Sequence, residues 1–189
     1  MYSILVAYLI LIAYFAIIES RRKGQAATTL KGGPSDQAST RFVSLAFAIS
    51  IILVVVAIAL NYFHLGVVVD VIGWIGIVVM LCGITFRVWA FQTLGRFYTR
   101  TLRISEGQRV VQDGPYKYVR HPGYLGVILL WVGAGLATAN WIAAVLVTLT
   151  IVAAYRYRIS AEERMLIASF GDQYEVYAEH TWRLLPFIW

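Results

Sequence analysis

The sequence predicts an all-α integral membrane protein of about five transmembrane helices, with short interfacial helices on the cytoplasmic side. Three observations carry that prediction. First, 60% of the 189 residues are hydrophobic and only 14% are charged, whereas a soluble domain is about 45–50% apolar. Mean hydropathy is +0.71. Second, the apolar residues gather in runs, and a spanning helix needs about 17–25 of them. Third, all sixteen Lys and Arg residues lie between those runs on one side.

The runs cover residues 2–18, 42–60, 67–86, 124–139 and 141–155. The first has no basic residue ahead of it and no small-residue cleavage pattern behind it, so it reads as a retained helix. The last two are short and separated by Asn140. They read as a helical hairpin, which gives five spans, or four and a re-entrant hairpin.

The basic residues occupy the segments after runs one, three and five, and the opposite loops, 61–66 and 140, carry none. The positive-inside rule then places the C-terminus in the cytoplasm and the N-terminus outside. The net charge of +6 is accordingly a topology and lipid-headgroup signal, and nucleic-acid binding is excluded. Residues 24–40, rich in Gly, Ser, Thr, Ala and Gln, read as a flexible cytoplasmic linker. The lone Cys82 excludes an intrachain disulfide and reads as a small buried hydrophobe. The chain reads as one membrane domain, 1–189. The small-residue pairs Gly73 with Gly76 and Gly133 with Gly135 suit close helix packing but fix no oligomeric state.

Two polar clusters stand out against this apolar background. Residues 114–124 hold Lys117, Arg120, His121, Tyr116, Tyr118, Tyr124, Pro115 and Pro122, immediately before an apolar run. Ionisable groups at the mouth of a membrane helix mark a site more often than a structural habit. Pro122 suits the first turn of a helix and pushes His121 out of helical geometry. His121 then projects beside the partly positive N-terminal end, where an anion is favoured. Each tyrosine taken singly fits an aromatic belt. Upstream, Gln108, Arg109, Val110 and Val111 lie between Gly107 and Gly114. They read as extended backbone, suited either to the edge of a flat heterocycle or to a plain interfacial hairpin.

The second cluster runs from Arg158 through Glu162, Glu163, Tyr174 and Tyr177 to Arg183. On a continuous helix Arg158 and Glu162 share a face. The pattern Ser160-Ala161-Glu162-Glu163 also fits a capping box, which would start a new helix and leave Arg158 outside it. Phe170-Gly171 reads as a helix end and Asp172 as a fresh start. The C-terminal part therefore reads as two short amphipathic interfacial helices.

These motifs, namely Gly114-x-Tyr116, Arg120-His121-Pro122-x-Tyr124, Glu162-Glu163, Phe170-Gly171-x-x-Tyr174-x-x-Tyr177 and Leu185-Pro186, resemble the isoprenylcysteine carboxyl methyltransferase family of integral membrane enzymes. The resemblance covers the C-terminal half, with a catalytic part of about 93–189. It implies S-adenosyl-L-methionine as cofactor, held by Gln108, Arg109, Val110, Val111, Tyr116, His121, Pro122, Gly123, Tyr124 and Glu162. It implies Arg158 as the catalytic, substrate-carboxylate arginine. Glu163, Tyr174, Tyr177 and Arg183 are further candidates, and no metal is expected. The implied activity is methylation of a lipophilic or prenylated acceptor, most simply at a carboxylate, by an enzyme embedded in the lipid bilayer. Membrane sterol reductases that use NADPH carry a similar Arg-His-Pro-x-Tyr motif and form the first alternative. A non-enzymatic membrane protein is the second.

Overall fold

The computed structural model describes residues 2–20, 36–99 and 101–186. Among the described residues six α-helices follow in order: α1 Tyr2–Ser20, α2 Ser39–Tyr62, α3 Asp70–Leu94, α4 Pro122–Ala137, α5 Trp141–Phe170 and α6 Asp172–Glu179. Single 3-10 turns occupy Gly95–Phe97 and Gly114–Lys117. Among the described residues there is no strand, only two isolated bridges.

Four helices, α1, α2, α3 and α5, are long and apolar enough to cross a membrane, and α4 is a shorter apolar helix. Their packing alternates. At one end Asn140 ties the chain together. Its side chain accepts from the backbone N–H groups of Ile142 and Ala143, capping α5, and its amide donates to Asn61 Oδ1 and Leu65 O. At the other end meet the C-termini of α1, α3 and α5 and the N-termini of α2 and α4.

The core lies where α3, α4 and α5 meet, with Met80, Val127, Leu130, Val147, Ile151 and Ile159 almost fully buried. Glycine permits the tightest approach. A Cβ on Gly76 would lie 2.4 Å from Ala137 N and 2.6 Å from Gly133 O, and one on Gly83 would lie 2.6 Å from Gly126 O. The small residues that suit helix packing are thus used within the chain: Gly76 and Gly133 between α3 and α4, Gly73 against Ile4 of α1, and Gly135 against Ala144 of α5. By contrast α1 and α2 turn many large apolar side chains outward, Leu9, Ile10, Ile52 and Ile58 among them, as a lipid-facing surface does.

Several expectations are corrected. The helix of span five does not stop at residue 155, and no new helix starts at Ser160. Instead α5 runs unbroken for 30 residues. Ser160 Oγ donates to Arg156 O one turn back, so it continues the helix instead of capping another. The helix ends at Gly171, whose φ of 52° lies in the left-handed region that glycine tolerates. One short C-terminal helix follows, not two. Most of the linker expected at 24–40 lies outside the described residues, but its last part is folded: Asp36, Ser39 and Thr40 are buried. Cys82 is exposed on the outside of the bundle, because it sits on the face of α3 turned away from α4.

Candidate functional site

The loop between α3 and α4 is shaped first by Gly114, with φ of 54°, and Pro115, which together make a 3-10 turn. The turn directs Tyr116 inward, and its carbonyl accepts a 2.7 Å hydrogen bond from Tyr177 Oη. Downstream the backbone is laced to the C-terminal segment. Trp182 N donates to Tyr118 O at 3.0 Å, Arg120 N to Trp182 O at 2.7 Å and His121 N to Arg183 O at 3.1 Å. This lacing fixes residues 118–121 just before Pro122, the first residue of α4. His121 therefore stands at the helix mouth, as Pro122 predicts.

The imidazole of His121 is buried between two consecutive carboxylates of α5. Its Nδ1 lies 3.4 Å from Glu162 Oε2 and its Nε2 lies 3.4 Å from Glu163 Oε1. The Tyr124 ring lies nearly parallel to it, centroids 5.6 Å apart. Burial disfavours the charged ring, but hydrogen bonding and charge from Glu162 and Glu163 outweigh it and hold its pKa above the ordinary imidazole value.

The two glutamates differ in their remaining partners. Glu163 accepts from Arg120 Nε at 3.0 Å and from Arg183 Nε at 2.8 Å. Arg120 Nη1 also donates to the carbonyls of Ala178 and Thr181 at the end of α6, where a cation suits the helix dipole. Glu163 and Arg183 thus brace the site from behind. Glu162 lines the open cavity, and its buried Oε2 has only the long 3.4 Å contact with His121 Nδ1. A buried carboxylate oxygen left in that condition is costly. A cation in the cavity would add to the positive charge that His121 supplies to this carboxylate.

The cavity measures about 900 Å³ with its open mouth included. Of the residues singled out in the sequence, Gln108, Arg109, Val110, Val111, Tyr116, His121, Gly123, Tyr124, Glu162, Tyr174 and Tyr177 line it. One wall is apolar: Val111 and Tyr116 pack with Ala90, Leu94 and Phe97. Pro122 does not line the cavity but sets the position of His121. Glu163, Arg183 and Arg158 do not line it either.

Arg158 is 4% exposed. Its Nε donates to Tyr124 Oη at 2.9 Å, and its Nη1 donates to Ser39 Oγ at 3.2 Å and Thr40 Oγ1 at 3.1 Å. Because α5 is continuous, Arg158 and Glu162 share a face as the four-residue spacing requires, with Tyr124 between Arg158 and the cavity.

Sequence reasoning missed Arg87, which it counted only as a topology charge. Arg87 is buried at the cavity floor. Its Nε donates to Glu19 Oε1 at 2.9 Å, its Nη1 donates to Gly123 O at 2.9 Å, and its guanidinium lies 4.7 Å from the Phe91 ring centroid. The available signal was paired: Glu19 and Arg87 each end an apolar run, and buried charges need partners. Phe170, the first residue of the Phe-Gly motif, also lines the cavity, as do Phe91, Met165 and Leu166, which carry no motif signal, since they look like any apolar residue of a helix.

A membrane helical bundle with a partly polar cavity where five helix ends meet is the class of protein that this geometry defines. The model of the isoprenylcysteine carboxyl methyltransferase family matches residues 74–168, half of the chain, and the chain belongs to that family. It is 34% identical over 119 residues to a probable protein-S-isoprenylcysteine O-methyltransferase of Oryza sativa, covering 62% of each chain. It is 31% identical over 115 residues to protein-S-isoprenylcysteine O-methyltransferase B of Arabidopsis thaliana, covering 60% of this chain and 58% of the other. The chain thus spans about three fifths of these relatives. The structure of a eukaryotic intramembrane Ras methyltransferase of this family superposes with a TM-score of 0.74 at 23% identity, covering 98% of this chain and 67% of that one. At that identity the likeness is one of fold.

Proposed function

We propose that this protein is an S-adenosyl-L-methionine-dependent methyltransferase that esterifies the carboxylate of a lipophilic, isoprenylcysteine-type acceptor at the membrane surface. The observation that carries the reading is Glu162. It is a carboxylate that lines the cavity and, with Glu163, clamps the buried His121, in a chain of this family.

The residues present fit the cofactor. Glu162 is a counter-charge for its ammonium and sulfonium. His121, whose two ring nitrogens face Glu162 and Glu163, holds Glu162 in place for that role, and the wall formed by Val111 and Tyr116 suits the adenine. Bound there, the cofactor supplies an electrophilic methyl group whose carbon–sulfur bond breaks as a carbon–oxygen bond forms. An acceptor carboxylate is already ionised at neutral pH, so the protein needs no general base. Its work is positioning and exclusion of water. Arg158 orients the acceptor carboxylate. Tyr124, which lines the cavity and holds Arg158 through its hydroxyl, aligns that carboxylate with the cofactor. Glu163, Arg120 and Arg183 keep His121 in place from behind.

On this reading α4 crosses with α5 as the fifth span, α6 rests at the cytoplasmic interface, and the cavity opens to the cytoplasm with the N-terminus outside. The catalytic part is about 93–189 within a single membrane domain. The test is methyl transfer. The protein in lipid nanodiscs, given labelled S-adenosylmethionine and a prenylated cysteine with a free carboxylate, yields a base-labile methyl ester. Label on the same acceptor that resists base, or no label at all, contradicts the reading.

A further inference from the structure

The turn that precedes α2 has no role in the reading above, yet its backbone is unusual. Gln37 and Ala38 have φ of 46° and 62°. Two successive non-glycine residues in the left-handed region are strained, and such strain persists only where surrounding contacts over-determine it. The contacts are present. Tyr157 Oη donates to Gln37 O at 2.8 Å, and Arg164 Nη2 donates to Gln37 Oε1 at 2.5 Å.

The strained turn folds Asp36 back over the start of its own helix. Its Oδ1 accepts from Thr40 Oγ1 at 2.6 Å and Ser39 Oγ at 3.2 Å, and its Oδ2 accepts from Thr40 N at 3.1 Å. A longer contact of 3.5 Å comes from Leu102 N, on the rim of the cavity. Asp36 Oδ1 also lies 3.7 Å from Arg158 Nη1, both side chains being 5% exposed.

The direction of these hydrogen bonds matters. Each hydroxyl gives its single proton to Asp36. Each is then left with lone pairs only, and these are what Arg158 Nη1 meets. A carboxylate can only accept, so it forces both hydroxyl rotors into the orientation that Arg158 requires. It also supplies the charge that makes a buried guanidinium tolerable.

We propose that Asp36 is a positioning residue for methyl transfer: through Ser39 and Thr40 it fixes the guanidinium of Arg158 in the attitude that receives the acceptor carboxylate. This rests on the reading of Arg158 as the acceptor arginine. Asp36 touches neither acceptor nor cofactor and acts through Arg158. An amide at 36 has nearly the same shape, but it carries no charge and can offer an N–H to a hydroxyl, turning that proton toward Arg158.

The experiment uses the full chain in lipid nanodiscs, with a prenylated cysteine carrying a free carboxylate as probe. Kd for S-adenosylhomocysteine, Kd of the probe in the presence of S-adenosylhomocysteine, and KM and kcat are measured for wild type, Asp36→Asn, Arg158→Lys and the double variant. Asp36→Asn is expected to leave S-adenosylhomocysteine affinity within about twofold and to raise probe Kd and KM by at least about fivefold, a coupling of the size seen for residues in one network. In the Arg158→Lys background it adds no more than about twofold. Unchanged probe Kd in Asp36→Asn, or losses that multiply in the double variant, overturns the inference. If Arg158→Lys itself leaves probe Kd unchanged, the reading of Arg158 fails, which is a distinguishable result. Should Asp36→Asn lose S-adenosylhomocysteine binding altogether, Ser39→Ala decides. It keeps the carboxylate and Thr40 and is expected to weaken probe binding by about two- to threefold, and unchanged probe Kd there overturns the inference.

Discussion

At the scale of single residues the proposed function rests on His121 and Glu162. His121→Ala is expected to weaken S-adenosylhomocysteine binding by about 1–3 kcal/mol, the cost of leaving a charged partner unpaired. Glu162→Gln should do the same by a different route, replacing an acceptor with an amide that can turn a donor toward the cofactor cation. Calorimetric titration reads both. His121 also sets a pH dependence. Its pKa is held above the ordinary value by Glu162 and Glu163, so the folded state binds the proton more tightly than the unfolded chain. That stabilisation is fully present below the unfolded value of about 6.5 and is lost as pH rises through the higher folded value. The difference in Tm between wild type and His121→Gln should therefore be largest in mildly acidic solution and shrink as pH rises. A difference that grows with pH would mean that the ring is buried neutral.

The decisive element is α5. Its 30 residues run from the Asn140 cap at one end of the bundle to the cavity at the other, and they carry Arg158, Glu162 and Glu163 in one rigid frame. The Ser160 pattern offered two readings, a capping box or a continuing helix. The choice between them depended on tertiary packing around Ile159 and Ala161, both buried, which local sequence does not display. The α3–α4 contact is the other rigid joint. Gly76→Leu would drive a side chain into the backbone at Ala137 and Gly133. It is expected to cost more than the ~1–3 kcal/mol of ordinary overpacking, read as a lower Tm in detergent, whereas Cys82→Ala on the outer face of the same helix should be nearly silent. Equal effects at the two positions would show that the close approach is not what holds the pair.

The whole molecule was legible in proportion to how strongly a feature marks sequence. Apolar runs placed every long helix, because the bilayer imposes length and hydropathy on them. His121, Glu162 and Tyr124 were legible because polar groups at a helix mouth stand out against an apolar background. Arg87 and Asp36 were not, since one looked like a flanking charge and the other like part of a linker. Their roles arise from contacts 36 to 122 positions apart in the chain, with Gly123 and with Arg158. The placement of the basic residues predicts a cytoplasmic C-terminus. A C-terminal reporter that is active only in the cytoplasm should be active, and one active only outside should be silent.

The central claim is that the cavity where the five helix ends meet is a site for S-adenosylmethionine with Glu162 as its counter-charge. Calorimetric titration of the purified protein with S-adenosylhomocysteine, repeated with Glu162→Gln and with NADPH in place of the nucleoside, tests it most directly. Saturable one-to-one binding of S-adenosylhomocysteine is predicted, weakened about tenfold or more by Glu162→Gln, with no heat from NADPH. Saturable binding of NADPH and none of S-adenosylhomocysteine would contradict it and make the protein a reductase on the same scaffold.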